Sequence, residues 1–313
     1  MKRAVVTLDV DPSWVYRGIH GLTGPELSPD RDPIYTIALP RFFELLAAPA
    51  TPATLFLVGR DLPTAAPLIR PALELEHELA SHSFSHDHAL STWPKERIDA
   101  ELDASERALT EVFGIRVRGF RAPGYNTSPT LLSAVERRRW YDSSLLPAPA
   151  YFLARGGILA VYKTLGRPSR SQLGDPRQFL GPLEPYRTVP RHVWKSVERG
   201  ALVELPMSVD PLTRVPMFGT ALSSLPSAFL DPALKRTSRL STVVLEFHAI
   251  DFLDESDHPT LRELARSQKD LTISFVEKQR RYSAALGTLR TAGALFTTLA
   301  RVADTLDGIG ARP

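Results

Sequence analysis

The sequence predicts an α/β protein built on a parallel sheet or barrel. Short apolar runs alternate with segments of helical periodicity, the pattern of repeated βα units. Polar clusters stand directly after four of those runs: Asp9-Val10-Asp11, His82-Ser83-Phe84-Ser85-His86, Arg121-Ala122-Pro123-Gly124-Tyr125 and His248. In strand–helix barrels, chemistry is assembled at the carboxyl ends of the strands.

Residues 4–8 read as a buried strand, 12–33 as a long polar loop, and 34–47, with Phe42, Phe43, Leu45 and Leu46, as a helix. Residues 53–58 close on Gly59 as a second strand, 63–75 look helical, and 77–81 form a short third strand. Pro94 opens an amphipathic helix that runs to Phe113 and stops at Gly114. Residues 117–121 are a fourth strand, 128–139 a helix starting at Ser-Pro, and 140–144 a fifth strand. The rhythm breaks over 147–199, rich in Pro, Gly and Arg, and resumes with strands at 201–206 and 242–247. Helix-forming sequence covers 261–291, and a last strand and helix start near Ala294. With no internal repeat, the expectation is a single domain over 1–313 with 147–199 inserted in it.

Composition narrows the class. Of 313 residues, 43% are hydrophobic and 23% charged, as in a globular protein with a sizeable core. A net charge of +3 is too weak to argue for nucleic acid. The absence of Cys removes disulfides and thiolate metal sites, so any metal must be held by His and carboxylates. No run approaches ~18 uninterrupted apolar residues, and Met1-Lys2-Arg3 leads straight into a strand, so a cytoplasmic location is expected.

The candidate residues each have a bland reading. His82 and His86, four apart, can face one point from a single helical turn, or can be surface histidines in a Ser-rich loop, with His88 at the rim. Asp9 and Asp11 share one face of an extended segment, so one could bind metal while the other accepts a proton; alternatively they cap an Asp-Pro turn. Arg121 could hold Asp9 ionised, and the Pro-Gly turn after it could present a backbone N–H to an oxyanion, though Arg before a tight turn is common. His248 at a strand end could protonate a leaving amine or be a hydrogen-bonded rim residue. Their joint placement at four strand ends favours chemistry.

Thr7-Leu8-Asp9-Val10-Asp11, residues 53–59, residues 77–86, Phe120-Arg121-Ala122-Pro123-Gly124-Tyr125, Tyr141-Asp142-Ser143-Ser144 and Leu245-Glu246-Phe247-His248 follow one another in a telling order. In this the chain resembles the polysaccharide deacetylases, the family 4 carbohydrate esterases, well over 3–145 and loosely over 200–300. The resemblance implies a distorted (β/α) barrel with fewer than eight strands. It implies Asp11, His82 and His86 as ligands of a divalent ion, Zn²⁺ foremost, and Asp9 as general base. It also implies His248 as general acid, Arg121 as the residue orienting Asp9, and the Tyr125 backbone N–H as oxyanion donor.

Three departures stand out. Val10 separates two aspartates that are adjacent in many members. The Asp-Trp pair that tunes the catalytic His in many members is not evident near 203–206, where Glu204 or Asp210 are the candidates to replace it. The insertion 147–199 has no counterpart in the smallest members.

Within that insertion, 151–165 is largely apolar and flanked by bases. It reads either as a cover over the barrel mouth or as a peripheral membrane contact, with Arg167, Arg170, Arg177, Arg187, Arg191 and Lys195 available to lipid phosphates. The expected function is metal-dependent removal of an N-acyl group, acetyl foremost, from a soluble or lipid-linked amino sugar. The alternatives are hydrolysis of a small amide or cyclic imide, and a catalytically silent sugar-binding protein.

Overall fold

A computed structural model describes residues 1–153, 156–157 and 175–306. Its central strand, β1 (Arg3–Val10), is buried from Ala4 to Val10 on both faces, hence an apolar run without alternation. It pairs in parallel with β8 (Thr242–His248) along one edge. Along the other it pairs first with β9 (Leu295–Thr297) and then with β2 (Ala53–Leu57). Beyond β2 come β3 (Glu78–Ser81), β4 (Gly119–Phe120), β5 (Tyr141–Asp142) and β7 (Leu202–Glu204), all parallel. β6 (Tyr186–Thr188) adds antiparallel to β7 at the edge. The order is β6-β7-β5-β4-β3-β2-β1-β8, a curled α/β sheet in the form of a distorted barrel.

Past β7 the ring is completed by isolated contacts to β8, at Ser208 and at the Phe218–Glu246 bridge. Ser208 N donates to Val244 O (3.0 Å) and Ser208 Oγ accepts from Val244 N (2.8 Å). Helices pack outside the sheet. The longest, Lys95–Phe113, buries Ile98, Leu102, Leu109 and Phe113 at helical spacing and ends at Gly114, whose φ of 69° terminates it in a left-handed turn. None of the described helices is long and apolar enough to cross a membrane.

Several expectations change. The loop expected over 12–33 contains a helix, Ser13–Ile19, seated by Asp32, whose Oδ2 accepts from Ser13 N (2.8 Å). The helical sequence of 261–291 is broken into Pro259–Leu264, a 3₁₀ turn Lys269–Thr272 and Phe275–Thr291; Ser274 caps the last of these at Glu277 N. The insertion contributes β6, unforeseen because three residues on an antiparallel edge carry little periodicity.

Most of 151–165, with Arg167 and Arg170, lies outside the described residues. In the part described, Phe152 is buried and stacks on Phe179, in a cluster that includes Tyr125 and Met207. Two of the bases expected to be free for lipid are engaged internally. Arg177 pairs with Asp175 (2.5 Å), and Arg187 donates to the Gly200 carbonyl (2.9 Å).

Candidate active site

The sheet register brings the polar clusters to one level. Asp9 pairs across to Phe56 on one side and His248 on the other, and Ser81, just before His82, pairs with Phe120, just before Arg121. Asp9, Asp11, His82, His86, Arg121, Tyr125 and His248 therefore meet at the carboxyl end of the strands.

Asp11 Oδ1 lies 3.1 Å from His86 Nε2 and 3.4 Å from His82 Nε2, and the two Nε2 atoms are 3.2 Å apart. All three side chains are buried, and Asp11 Oδ1 has no hydrogen-bond partner among the described residues. His82 Nδ1 faces the Arg121 carbonyl (2.8 Å), which accepts its proton and leaves Nε2 as the free lone pair of the neutral ring. Three acceptors thus converge at a spacing that fits a tetrahedral ion, whose ligands at ~2.0–2.1 Å stand ~3.3 Å apart. The residues present fit a divalent cation. Burial pushes the Asp11 carboxyl up, but His86 and His82 outweigh it and hold it well below the usual carboxylate range.

The expected helical turn across His82–His86 is absent. The segment is a loop in which Ser83 (φ 65°) and His86 (φ 53°) are left-handed. Its shape is imposed from outside. Glu101, on helix Lys95–Phe113, accepts from Phe84 N (3.0 Å), Ser85 N (2.6 Å) and Ser85 Oγ (2.7 Å). Ser83 Oγ accepts from His86 N (3.0 Å). Gly59 N donates to Ser83 O (3.0 Å) at a contact so close that a Cβ on Gly59 would stand 2.8 Å from the Phe84 ring. His88, expected at the rim, is buried with its ring edge-on to His86 at 5.1 Å.

Asp9 is held from the other side. Arg121, wholly buried, donates Nη1 to Asp9 Oδ1 (2.5 Å) and Thr7 Oγ1 (3.0 Å), and Nε to the Ser143 carbonyl (2.9 Å). Its guanidinium lies over the Phe56 ring at 4.2 Å. Asp9 Oδ2 has no hydrogen-bond partner among the described residues and lies 3.8 Å from His82 Nε2. Burial raises the Asp9 pKa, with Arg121 opposing.

His248 Nε2 stands 3.9 Å from Asp11 Oδ2 and 3.5 Å from the Tyr125 hydroxyl, while its Nδ1 lies 2.9 Å from Glu246 Oε1. Burial pushes the imidazolium pKa down, yet Glu246 overrides it and holds His248 well above the ordinary histidine range. Glu246 is the residue the sequence reading missed. It leaves the same face of β8 as His248, two residues earlier, and that spacing was its only signal.

The candidates suggested in its place are occupied elsewhere. Glu204 lies across from Asp142 in the sheet and takes Leu145 N (3.0 Å), while Asp210 is gripped by Arg236 (2.8 Å). The Tyr125 N–H, expected to face an oxyanion, instead donates to the Ala122 carbonyl (2.9 Å) in the 3₁₀ turn Pro123–Tyr125. It is the Tyr125 hydroxyl that faces the site.

Residues 30–138 match the family model described as polysaccharide deacetylase. The match to that family thus covers about a third of the chain, from the segment before β2 to the helix before β5. Its fold is similar to that of a Mycobacterium smegmatis protein described as a polysaccharide deacetylase. That likeness has a TM-score of 0.60 at 17% identity and covers 100% of this chain and 93% of the other. A family 4 acetyl xylan esterase from Clostridium thermocellum, solved with cobalt, gives 0.50 at 15% identity, over 98% and 93% of the two chains. A family 4 pseudoenzyme from Bacillus anthracis gives 0.49 at 11% identity, over 96% and 64%. No curated protein matches the sequence. The two aspartates of the site differ in charge balance: Asp11 is held ionised among imidazoles, and Asp9 is kept basic by burial beside one guanidinium.

Proposed function

We propose that the protein is a metal-dependent hydrolase that removes an N-acyl group, acetyl foremost, from an amino sugar. The observation that carries this reading is the convergence of Asp11 Oδ1, His82 Nε2 and His86 Nε2 within 3.1–3.4 Å, flanked by Asp9 on one side and His248 on the other. A divalent ion, Zn²⁺ foremost, bound by these three atoms supplies Lewis acidity to an acyl carbonyl and acidifies water.

Asp9 Oδ2 takes the proton of the attacking water; burial makes it a stronger base than an exposed carboxylate, and Arg121 fixes its orientation. His248, kept protonated by Glu246, delivers a proton from Nε2 to the departing amine, with the Tyr125 hydroxyl beside it. Separated basic and acidic groups flanking a cation cradle support amide hydrolysis more directly than simple sugar binding.

The test is to measure bound metal in the purified protein and acetate release from N-acetylated sugars, for the wild type and for Asp9→Asn. We expect the variant to keep its metal and lose ~10²–10⁴-fold in kcat. Retained turnover by Asp9→Asn would refute the base assignment. Hydrolysis of a cyclic imide, but of no acetylated sugar, would transfer the same site to the small-amide alternative.

A further inference from the structure

The site has very different flanks. Beyond His86 and His88, towards Trp14, there is room for only about 100 Å³. Beyond His248 lies a cavity of about 570 Å³, walled by Tyr125, Tyr151, Val215, Phe218 and Ala221. Its surface is largely apolar, with Tyr151 packed against Phe218 at 5.5 Å. Arg214, Gln268 and Asp270 are among its polar members, so most of the wall offers a neighbouring sugar ring's hydroxyls no partner, whereas apolar substituents gain binding energy there.

His248 marks which part of a substrate points there. In the deacylase reading, on which this inference rests, its Nε2 meets the departing nitrogen, so whatever that amine carries extends past His248 and Tyr125. We propose that the cavity is the subsite for an apolar alkyl or aryl group that the leaving amino sugar carries beyond its ring. Two exposed leucines lie near Arg214 in the chain or through its hydrogen bond. Leu212 is 74% exposed two residues before Arg214; Leu180 is 71% exposed next to Gly181, whose carbonyl accepts from Arg214 Nη1 (3.1 Å).

The probes are the methyl and octyl β-glycosides of N-acetylglucosamine, below the concentration at which the octyl compound forms micelles. They are compared on the full-length wild type and on two variants, Ala221→Phe, which fills the cavity, and Ser224→Trp, at an exposed position on its lip. For the wild type, kcat/KM is expected to be at least about tenfold higher for the octyl glycoside. Both variants are expected to lose that preference while methyl glycoside turnover stays unchanged. Equal kcat/KM for the two glycosides in the wild type, or a preference that survives in a folded Ser224→Trp, overturns the subsite.

If neither glycoside is hydrolysed, calorimetric binding of the same two compounds to the same three proteins separates the two claims. Octyl-selective binding that the variants abolish keeps the subsite and refutes the deacetylase reading for these sugars. Absence of octyl-selective binding refutes the subsite itself.

Discussion

Glu246 and His248 show how one residue sets another's chemistry. Partial burial would ordinarily make an imidazole lose its proton more readily; the carboxylate 2.9 Å from Nδ1 reverses that. Replacing Glu246 with Gln keeps the shape and removes the charge. We expect kcat to fall ~10²-fold or more while metal content is unchanged, as measured by turnover and metal analysis of the same preparation. Unchanged kcat would remove Glu246 from the mechanism. The spacing rule that joined Asp9 to Asp11 applies equally to Glu246 and His248. Glu246 stayed hidden because it sits between Leu245 and Phe247, in a run that reads as buried strand. Tyr125 failed for another reason. Residue type says nothing about where a backbone N–H points, and the left-handed Gly124 (φ 61°) is what turns the Tyr125 N–H back to the Ala122 carbonyl.

The loop from His82 to His86 is positioned by an element that follows it in the chain. Two left-handed residues cost conformational energy, which the three hydrogen bonds to Glu101 offset. Glu101→Ala leaves those donors without their acceptor. The expected outcome is a ~10–100-fold loss of zinc affinity by calorimetry, the range found when partners of ligating residues are removed. Affinity equal to wild type would mean that the loop holds its own shape. From sequence, a four-residue His spacing suggests one turn of helix. The same spacing is met by a tight loop, and the choice depends on Gly59 and Glu101, remote partners whose contacts no local pattern reveals. The helix carrying Glu101 was legible between Pro94 and Gly114; its role as a clamp was not.

At the scale of the molecule, the βα rhythm was legible because burial on both faces writes β1 and β2 as continuous apolar runs. The edge strand β6 was not, since three residues on an antiparallel edge carry little periodicity. One buried group ties global stability to pH. Burial lowers the His77 pKa to about 4, and its Nδ1 accepts from Ala53 N (3.1 Å), which requires the neutral ring. A folded-state pKa below the unfolded value near ~6.5 favours the native state above that pH, and the contribution is lost as pH falls from ~6.5 towards 4. It amounts to roughly 2–3 kcal/mol at most, allowing for solvent screening. In urea melts at pH 7 and pH 4.5, His77→Asn should therefore lose less stability on acidification than the wild type. An equal loss would assign acid sensitivity to other groups.

The closure at Ser208 and Val244 has a further consequence. Past Ser208 the chain returns to β8 at Met217, whose carbonyl accepts from Glu246 N (3.3 Å), so the segment that furnishes Val215, Pro216 and Phe218 to the cavity also braces the strand carrying Glu246 and His248. Cavity wall and proton donor are thus mechanically joined, so re-engineering 215–218 is expected to shift His248 along with specificity, whereas Asp11, His82 and His86 sit on other elements.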